Sequence, residues 1–313
     1  MARGSAPHEP MLRTALLFLS RQNWLRRWVQ NSSFSQSLTR RFIAGRTLEE
    51  ELAVCARLKA EGITATLDHL GENVSSIEES RTSRDSYTAA LDGIARLGLP
   101  ATVSVKLTQL GLDLGEGVCI ENCGAIARRA KEGGSGVEID MEASEYVDRT
   151  LAIVGAMHER YGCVRAVVQA YLYRTEADVH HLNERGIPVR LVKGAYREPH
   201  TIAWPKKRDV DGSFVKLMEV LLDHGRCPAI ATHDEAMIGR TLEHVRKQGY
   251  AADRFEFQML YGIRRDLQRQ LVAEGYRLRL YVPYGDAWYP YFMRRLAERP
   301  ANLLFIARNL VRK

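Results

Sequence analysis

The chain has 313 residues, enough for two average domains or one α/β barrel, and its 45% apolar and 27% charged residues are ordinary globular composition. No apolar run reaches the length of a membrane span, and the formal charge of +7 is spread along the chain without the basic-aromatic interleaving of nucleic-acid binders. Five irregularly spaced cysteines (Cys55, Cys119, Cys123, Cys163 and Cys227) argue against a disulfide framework and fit a reducing compartment.

Residues 1–10 carry Gly4, Ser5, Pro7 and Pro10 and read as a tail. In residues 11–29, Arg13 and Arg21 bracket a short apolar patch, and no small-residue cleavage site follows. This pattern predicts an amphipathic helix that packs on the main body, with a membrane surface as the alternative support. A second helical stretch, Leu38 to Ile43, completes the arm, so residues 1–45 form a tail and helical arm and residues 46–313 the main body. Thr47-x-x-Glu50 is a capping box, and the helix that follows ends at Glu61-Gly62, with glycine at the expected position past the last turn.

From there a unit repeats: a short β-branched run, a polar end, then a longer stretch with helical periodicity. The runs are Ile63–Leu70, Ala101–Leu107, Gly136–Met141, Val164–Tyr171, Pro188–Ala195, Pro228–His233, Phe255–Leu260 and Arg277–Val282. Between them the spacing predicts helices over Arg84–Leu97, Ile120–Lys131, Ser144–Tyr161, Ala177–Arg185, Phe214–His224, Glu235–Gln248 and Arg264–Glu274. Strands alternating with helices imply a parallel sheet, and eight units imply closure into a (β/α)8 barrel. An open doubly wound sheet is disfavoured because no GxGxxG follows the first strand.

After Leu280, Tyr281 and Val282, the residues Pro283 and Gly285 are expected to break the last strand, with Asp286 as a helix N-cap. On a helix from about Ala287, Tyr291 lies one turn before Arg294 and Arg295, and Glu298 one turn after both. Two adjacent guanidinium forks behind aromatics suit a carboxylate clamp. A solvated basic face is the alternative.

In a barrel the site forms at the C-terminal strand ends. The polar residues there are Asp68 with Glu72, Lys106, Asp140 with Glu142, Gln169, Arg190 with Lys193, Thr232 with His233, Glu256 with Gln258, and Tyr281. No HxH, HExxH or GxSxG spacing occurs, so neither a zinc site nor a serine nucleophile is expected, and no metal is assigned. The ring offers donors instead: Lys106, Gln169, Arg190, Lys193 and the backbone amides at Gly194-Ala195. Those suit an electron-rich ring system or phosphates.

At this point the chain resembles the proline dehydrogenase family, of the monofunctional bacterial type. The likeness is carried by LDHLGE (67–72), SVKLTQLGLDL (104–114), IDMEAS (139–144), VVQAYLYRT (167–175), RLVKGAYREP (190–199), ATHD (231–234), FEFQMLYGIRRDLQ (255–268) and YVPYGDAWYPYFMRRLAERP (281–300). It implies a distorted (β/α)8 barrel with an N-terminal helical arm and a final helix lidding the mouth. It also implies non-covalent FAD, oxidation of L-proline to Δ1-pyrroline-5-carboxylate by hydride transfer to flavin N5, and electrons passed to a quinone.

Carried over by motif, Lys106, Arg294 and Arg295 would bind the proline carboxylate. Asp140 would orient Lys106 and line the site. Tyr281 and Tyr291 would wall the ring, with Leu191 and Tyr196 beside it. Met141, Gln169, Arg190, Lys193, Gly194, Ala195, Thr232 and His233 would hold FAD, with Arg190 near N5. Glu72 would pair with Arg294 as a gate. The resemblance further implies a cytoplasmic enzyme, with peripheral contact at the inner membrane face.

The chain departs from the family pattern at His69, where leucine is usual, and at Asp286-Ala287; residues 1–37 match weakly. Two other readings compete. A barrel flavoprotein of the methylenetetrahydrofolate reductase type would need room for a large folate. A basic surface binder without catalysis would use the N-terminal helix.

Overall fold

The computed structural model describes residues 42–71, 74–288 and 291. The arm expected over residues 11–30, and the final helix except for Trp288 and Tyr291, lie outside the described residues.

Eight parallel strands close into a barrel in sequence order. They are β1 (Thr64–His69), β2 (Ala101–Val105), β3 (Val137–Ile139), β4 (Val164–Gln169), β5 (Val189–Val192), β6 (Ala229–Ala231), β7 (Glu256–Leu260) and β8 (Leu278–Tyr284). Closure is made by β1 on β8, which pair over six residues from Thr64↔Arg279 to His69↔Tyr284. Helix α1 (Leu48–Ala60) precedes β1. Then α2 (Ile77–Arg96), α3 (Glu116–Glu132), α4 (Val147–Tyr161), α5 (Thr175–Glu184), α6 (Lys207–His224), α7 (Glu235–Gln248) and α8 (Arg265–Ala273) follow β1 to β7 in turn.

Each strand is buried on both faces, so its outward side chains meet the helices in a continuous apolar layer. Leu67, Val103, Ile139, Leu191 and Phe257 contribute from the strands, and Tyr87, Ile126, Val154, Phe214 and Leu221 from the helices. All eight expected strands are present.

The helices differ at their starts. The spacing predicts α2 from Arg84, whereas it begins at Ile77, where Ser76 accepts from the Glu79 N–H at 3.2 Å. The spacing likewise predicts α6 from Phe214, and it begins at Lys207. Both early turns are largely polar and exposed, so apolar periodicity marks only the packed part of a longer helix. Around α1 the expected caps hold: Thr47 and Glu50 form a reciprocal capping box, and Gly62 takes φ +74°.

Pro283 corrects one expectation, because β8 runs through it to Tyr284. β7 ends opposite Tyr281, so the N–H that proline lacks has no ladder partner to lose on that side, and the Pro283 carbonyl accepts from Ala44 at 3.0 Å.

Glu51 on α1 is 0% exposed, and neither carboxyl oxygen has a hydrogen-bond partner among the described residues. Burial lifts its pKa well above the ordinary carboxylate range, and Asp68 adds repulsion. The folded chain therefore keeps a proton that the unfolded chain releases, and this site costs stability increasingly as pH rises above that range. Glu51→Met is expected to raise stability at neutral pH by about 1–3 kcal/mol. The gain should shrink towards about pH 4, where both states are protonated. Thermal unfolding of both forms across pH checks it; an unchanged or lower midpoint at neutral pH contradicts it.

Candidate active site

Alternation along each strand turns every second side chain into the barrel. In this barrel the inward set is charged. Thr66 and Asp68 come from β1, Thr102 and Ser104 from β2 with Lys106 just past its end, and Glu138 from β3 with Asp140 just past its end. Arg165 and Gln169 come from β4, Arg190 from β5, Glu256 and Gln258 from β7, and Arg279 and Tyr281 from β8.

The lower level is held by Glu256, which pairs with Arg165 and accepts from Arg279 Nε at 3.0 Å and from Gln258 Nε2 at 2.7 Å. The two guanidinium groups outweigh burial and hold Glu256 far below the usual carboxylate range. Arg279 also donates to the Ala65 carbonyl at 2.7 Å.

The upper level faces the mouth. Lys106 Nζ donates to Asp68 Oδ1 at 3.3 Å and to Asp140 Oδ2 at 3.4 Å. Asp140 also accepts from Tyr281 Oη at 2.9 Å, Ser104 Oγ at 2.8 Å and Arg190 Nη1 at 2.8 Å. Arg190 Nη2 pairs with Glu138, and its guanidinium lies 5.4 Å from the centre of the Tyr281 ring.

Burial lowers the pKa of Arg190 to about 10, and it remains a cation at neutral pH. Burial also pushes the Lys106 ammonium down, but Asp68, Tyr281 and Asp140 outweigh it and hold its pKa well above the ordinary lysine value. Asp140 is raised by burial against the pull of Lys106. The Tyr281 phenol is raised by burial and by Asp140, so it stays protonated and donates.

Of the residues expected at the site, Lys106, Asp140, Arg190 and Tyr281 meet in this one cluster. Gln169 and Met141 are buried at the same end, and Tyr291 is buried as well. Lys193 is paired with Asp211 and with Asp234, the latter at 2.8 Å. Thr232 Oγ1 accepts from the Asp234 N–H at 3.1 Å, and His233 Nε2 accepts from the Leu260 N–H at 2.8 Å.

Leu191 and Tyr196, expected beside the substrate ring, are not in the cluster. Leu191 points to the opposite face of β5 from Arg190, into the apolar layer, because strand neighbours alternate. Tyr196 is exposed on the loop after β5. Glu72, Arg294 and Arg295 lie outside the described residues.

Glu142 is tied to the β2 end instead, accepting from Thr108 Oγ1 at 2.6 Å. His69 packs its ring against Tyr284 at 5.1 Å and edge-on to Tyr87 at 6.1 Å. Burial lowers its pKa, with Asp68 and Asp286 opposing. It serves there as a neutral aromatic piece.

Residue-type reasoning left Ser104 and Glu138 out and assigned Asp68 no role. A signal exists for two of them: Ser104 and Glu138 lie two positions before Lys106 and Asp140, on the same inward face.

A planar cofactor fits here on three observations. Gln169 Oε1, Tyr171 Oη and Arg190 Nε are buried with no hydrogen-bond partner among the described residues. Gly194 takes φ +115°, and a Cβ on it would lie 2.3 Å from the Tyr171 ring, so only glycine lets the Lys193-Gly194-Ala195 backbone run past that ring. Gly194 and Ala195 are themselves exposed, so this stretch of backbone is open to a ligand.

Together these features define a (β/α)8 barrel whose mouth holds a fixed ammonium, at Lys106, close to buried polar atoms without a hydrogen-bond partner among the described residues. The model of the proline dehydrogenase family matches residues 52–308. Proline dehydrogenase 1 of Bacillus subtilis strain 168 is 40% identical over 304 residues, covering 97% of this chain and 100% of that protein. The proline dehydrogenase of Deinococcus radiodurans is 40% identical over 281 residues, covering 88% of this chain and 91% of that protein. The crystal structure of proline utilization A from Bdellovibrio bacteriovorus, inactivated by N-propargylglycine, superposes with a TM-score of 0.81 at 25% identity, covering 92% of this chain and 36% of that longer chain. This chain belongs to the proline dehydrogenase family, and is an oxidoreductase of proline catabolism with proline as its substrate.

Asp68→Asn removes the nearer countercharge of Lys106, so the Lys106 pKa falls, with Asp140 and Tyr281 left to oppose burial. The alkaline limb of the kcat/KM profile for proline is expected to move to lower pH. At neutral pH kcat/KM should fall at least about tenfold, ~1.4 kcal/mol in the barrier. An unshifted alkaline limb contradicts this role for Asp68.

Proposed function

We propose that the chain oxidises L-proline to Δ1-pyrroline-5-carboxylate with non-covalently held FAD, and that a quinone takes the electrons. One observation carries the reading: Lys106, Asp140, Tyr281 and Arg190 share a single hydrogen-bonded cluster beside the orphaned atoms of Gln169, Tyr171 and Arg190.

Met141, Gln169, Arg190, Lys193, Gly194, Ala195, Thr232 and His233 would hold FAD, which when bound supplies the hydride acceptor at N5. Lys106 would take the proline carboxylate together with Arg294 and Arg295. Asp68 and Asp140 keep Lys106 charged and aim it. Tyr281, fixed through its hydroxyl to Asp140, would wall the ring with Tyr291. Tyr196, on its exposed loop, would close from the side, whereas Leu191 supports the site only by packing the strand that carries Arg190.

Arg190 would place positive charge where negative charge develops during transfer. The step needs orientation and exclusion of water more than a strong base. Glu72 would latch onto Arg294 over bound substrate, as a lid contact does.

Among the described residues no helix is long and apolar enough to cross a membrane. Delivery to a quinone would then use peripheral contact from the cytoplasmic side.

The purified protein is expected to carry the visible absorption of an oxidised flavin, bleached by L-proline under anaerobic conditions and not by folates. Colourless protein, or a flavin that proline leaves oxidised, overturns the reading. For the latch, Glu72→Ala should raise KM for proline about tenfold or more while flavin stoichiometry stays at the wild-type value. Parallel loss of flavin and activity would count against it.

A further inference from the structure

We infer that Glu138 is a positioning residue for the redox step. It aims the guanidinium of Arg190, and its charge sets how strongly that cation favours the reduced cofactor. This rests on the flavin reading above, in which Arg190 stands near N5.

Arg190 is 3% exposed and its fork is held from two successive inward positions on one chain segment, β3 and the residue after it. Nη1 donates to Asp140 Oδ1 at 2.8 Å and Nη2 to Glu138 Oε2, and Nε has no partner among the described residues. Two carboxylates two residues apart therefore fix the plane of the guanidinium and leave one edge unclaimed.

Glu138 itself cannot turn away. It is 2% exposed, and Thr102 Oγ1 lies 3.2 Å and Gln258 Nε2 3.3 Å from its oxygens, with Arg279 Nε at 3.7 Å and Arg165 Nη1 at 3.9 Å. Asp140 belongs to the substrate cluster, through Lys106 and Tyr281, whereas Glu138 touches neither. It acts on Arg190 and on the lower arginines.

The interior network joins four cations (Lys106, Arg165, Arg190 and Arg279) to four carboxylates (Asp68, Glu138, Asp140 and Glu256). Neutralising Glu138 leaves one cation uncompensated at the level of Arg190. A reduced flavin carries more negative charge than an oxidised one, so an uncompensated cation beside it favours reduction. Glu256 is the built-in comparator: it is similarly buried, pairs with Arg165 and Arg279, and reaches Arg190 through its charge alone, without a hydrogen bond that would aim the guanidinium.

The test is the flavin midpoint potential of purified holoenzyme, by anaerobic dye-coupled titration, for wild type, Glu138→Gln, Glu138→Asp and Glu256→Gln. Glu138→Gln is expected to raise the reduced-to-oxidised ratio at fixed solution potential about tenfold, about 30 mV upward for a two-electron couple. Glu138→Asp keeps the charge but withdraws it from Arg190, and a smaller rise is expected. Glu256→Gln should move the potential clearly less than Glu138→Gln does. An unchanged or lowered potential in Glu138→Gln, or an equal rise in Glu256→Gln, overturns the inference. If Glu138→Gln yields no folded holoenzyme, Glu138→Asp decides: a rise supports the inference and the wild-type value overturns it. Wild-type protein without flavin overturns the functional reading and this inference with it, whereas flavin present with an unmoved potential overturns this inference alone.

Discussion

Asp140 receives hydrogen bonds from Lys106, Tyr281, Ser104 and Arg190, that is, from strands β5 and β8 and from β2 with the residue just past it. Each donor is itself buried or nearly so, and the carboxylate is their common acceptor. A buried carboxylate is tolerable only when several donors replace its lost hydration. Here that physical requirement and the shape of the site coincide: the same bonds that compensate Asp140 also aim an ammonium, a phenol and a guanidinium at the barrel mouth.

The rest of the structure divides around this constraint. Stability resides in the outer layer, where strand residues such as Leu67, Val103 and Phe257 pack against Tyr87, Ile126 and Phe214 of the helices. The interior holds balanced charge, whose net contribution to stability is small because Coulomb attraction is largely offset by desolvation. What the interior contributes is specificity of orientation. Glu51 and His69 are polar groups that break this division. Glu51 is buried without a partner among the described residues, and His69 serves as a neutral ring between Tyr87 and Tyr284.

Much of the barrel was legible in residue order. Each β-branched run became a strand, and Glu235–Gln248 became a helix with the expected bounds, because its apolar period spans its whole length. Helix starts at Ile77 and Lys207 were hidden, since solvated turns carry no apolar period. Pro283 read as a strand breaker because a one-dimensional pattern cannot show that β7 has already ended beside it. At the site, Lys106, Asp140, Arg190 and Tyr281 were visible as polar residues at strand ends. Glu138 and Ser104 were not, because a polar residue in the middle of a strand reads as an irregularity until the barrel closes around it.

By itself the sequence determined the repeating strand-helix order, the capping box at Thr47 and Glu50, the glycine at 194 and the motifs that place the chain in its family. These depend on neighbours within a few residues, or on residue types at set spacings. Only the tertiary structure decided which carboxylate serves which cation, that Leu191 faces away from Arg190, and that Glu138 sits among three guanidinium groups. Those pairings join residues far apart in the chain. They are set by strand register and barrel closure, and neither quantity is written in any local stretch.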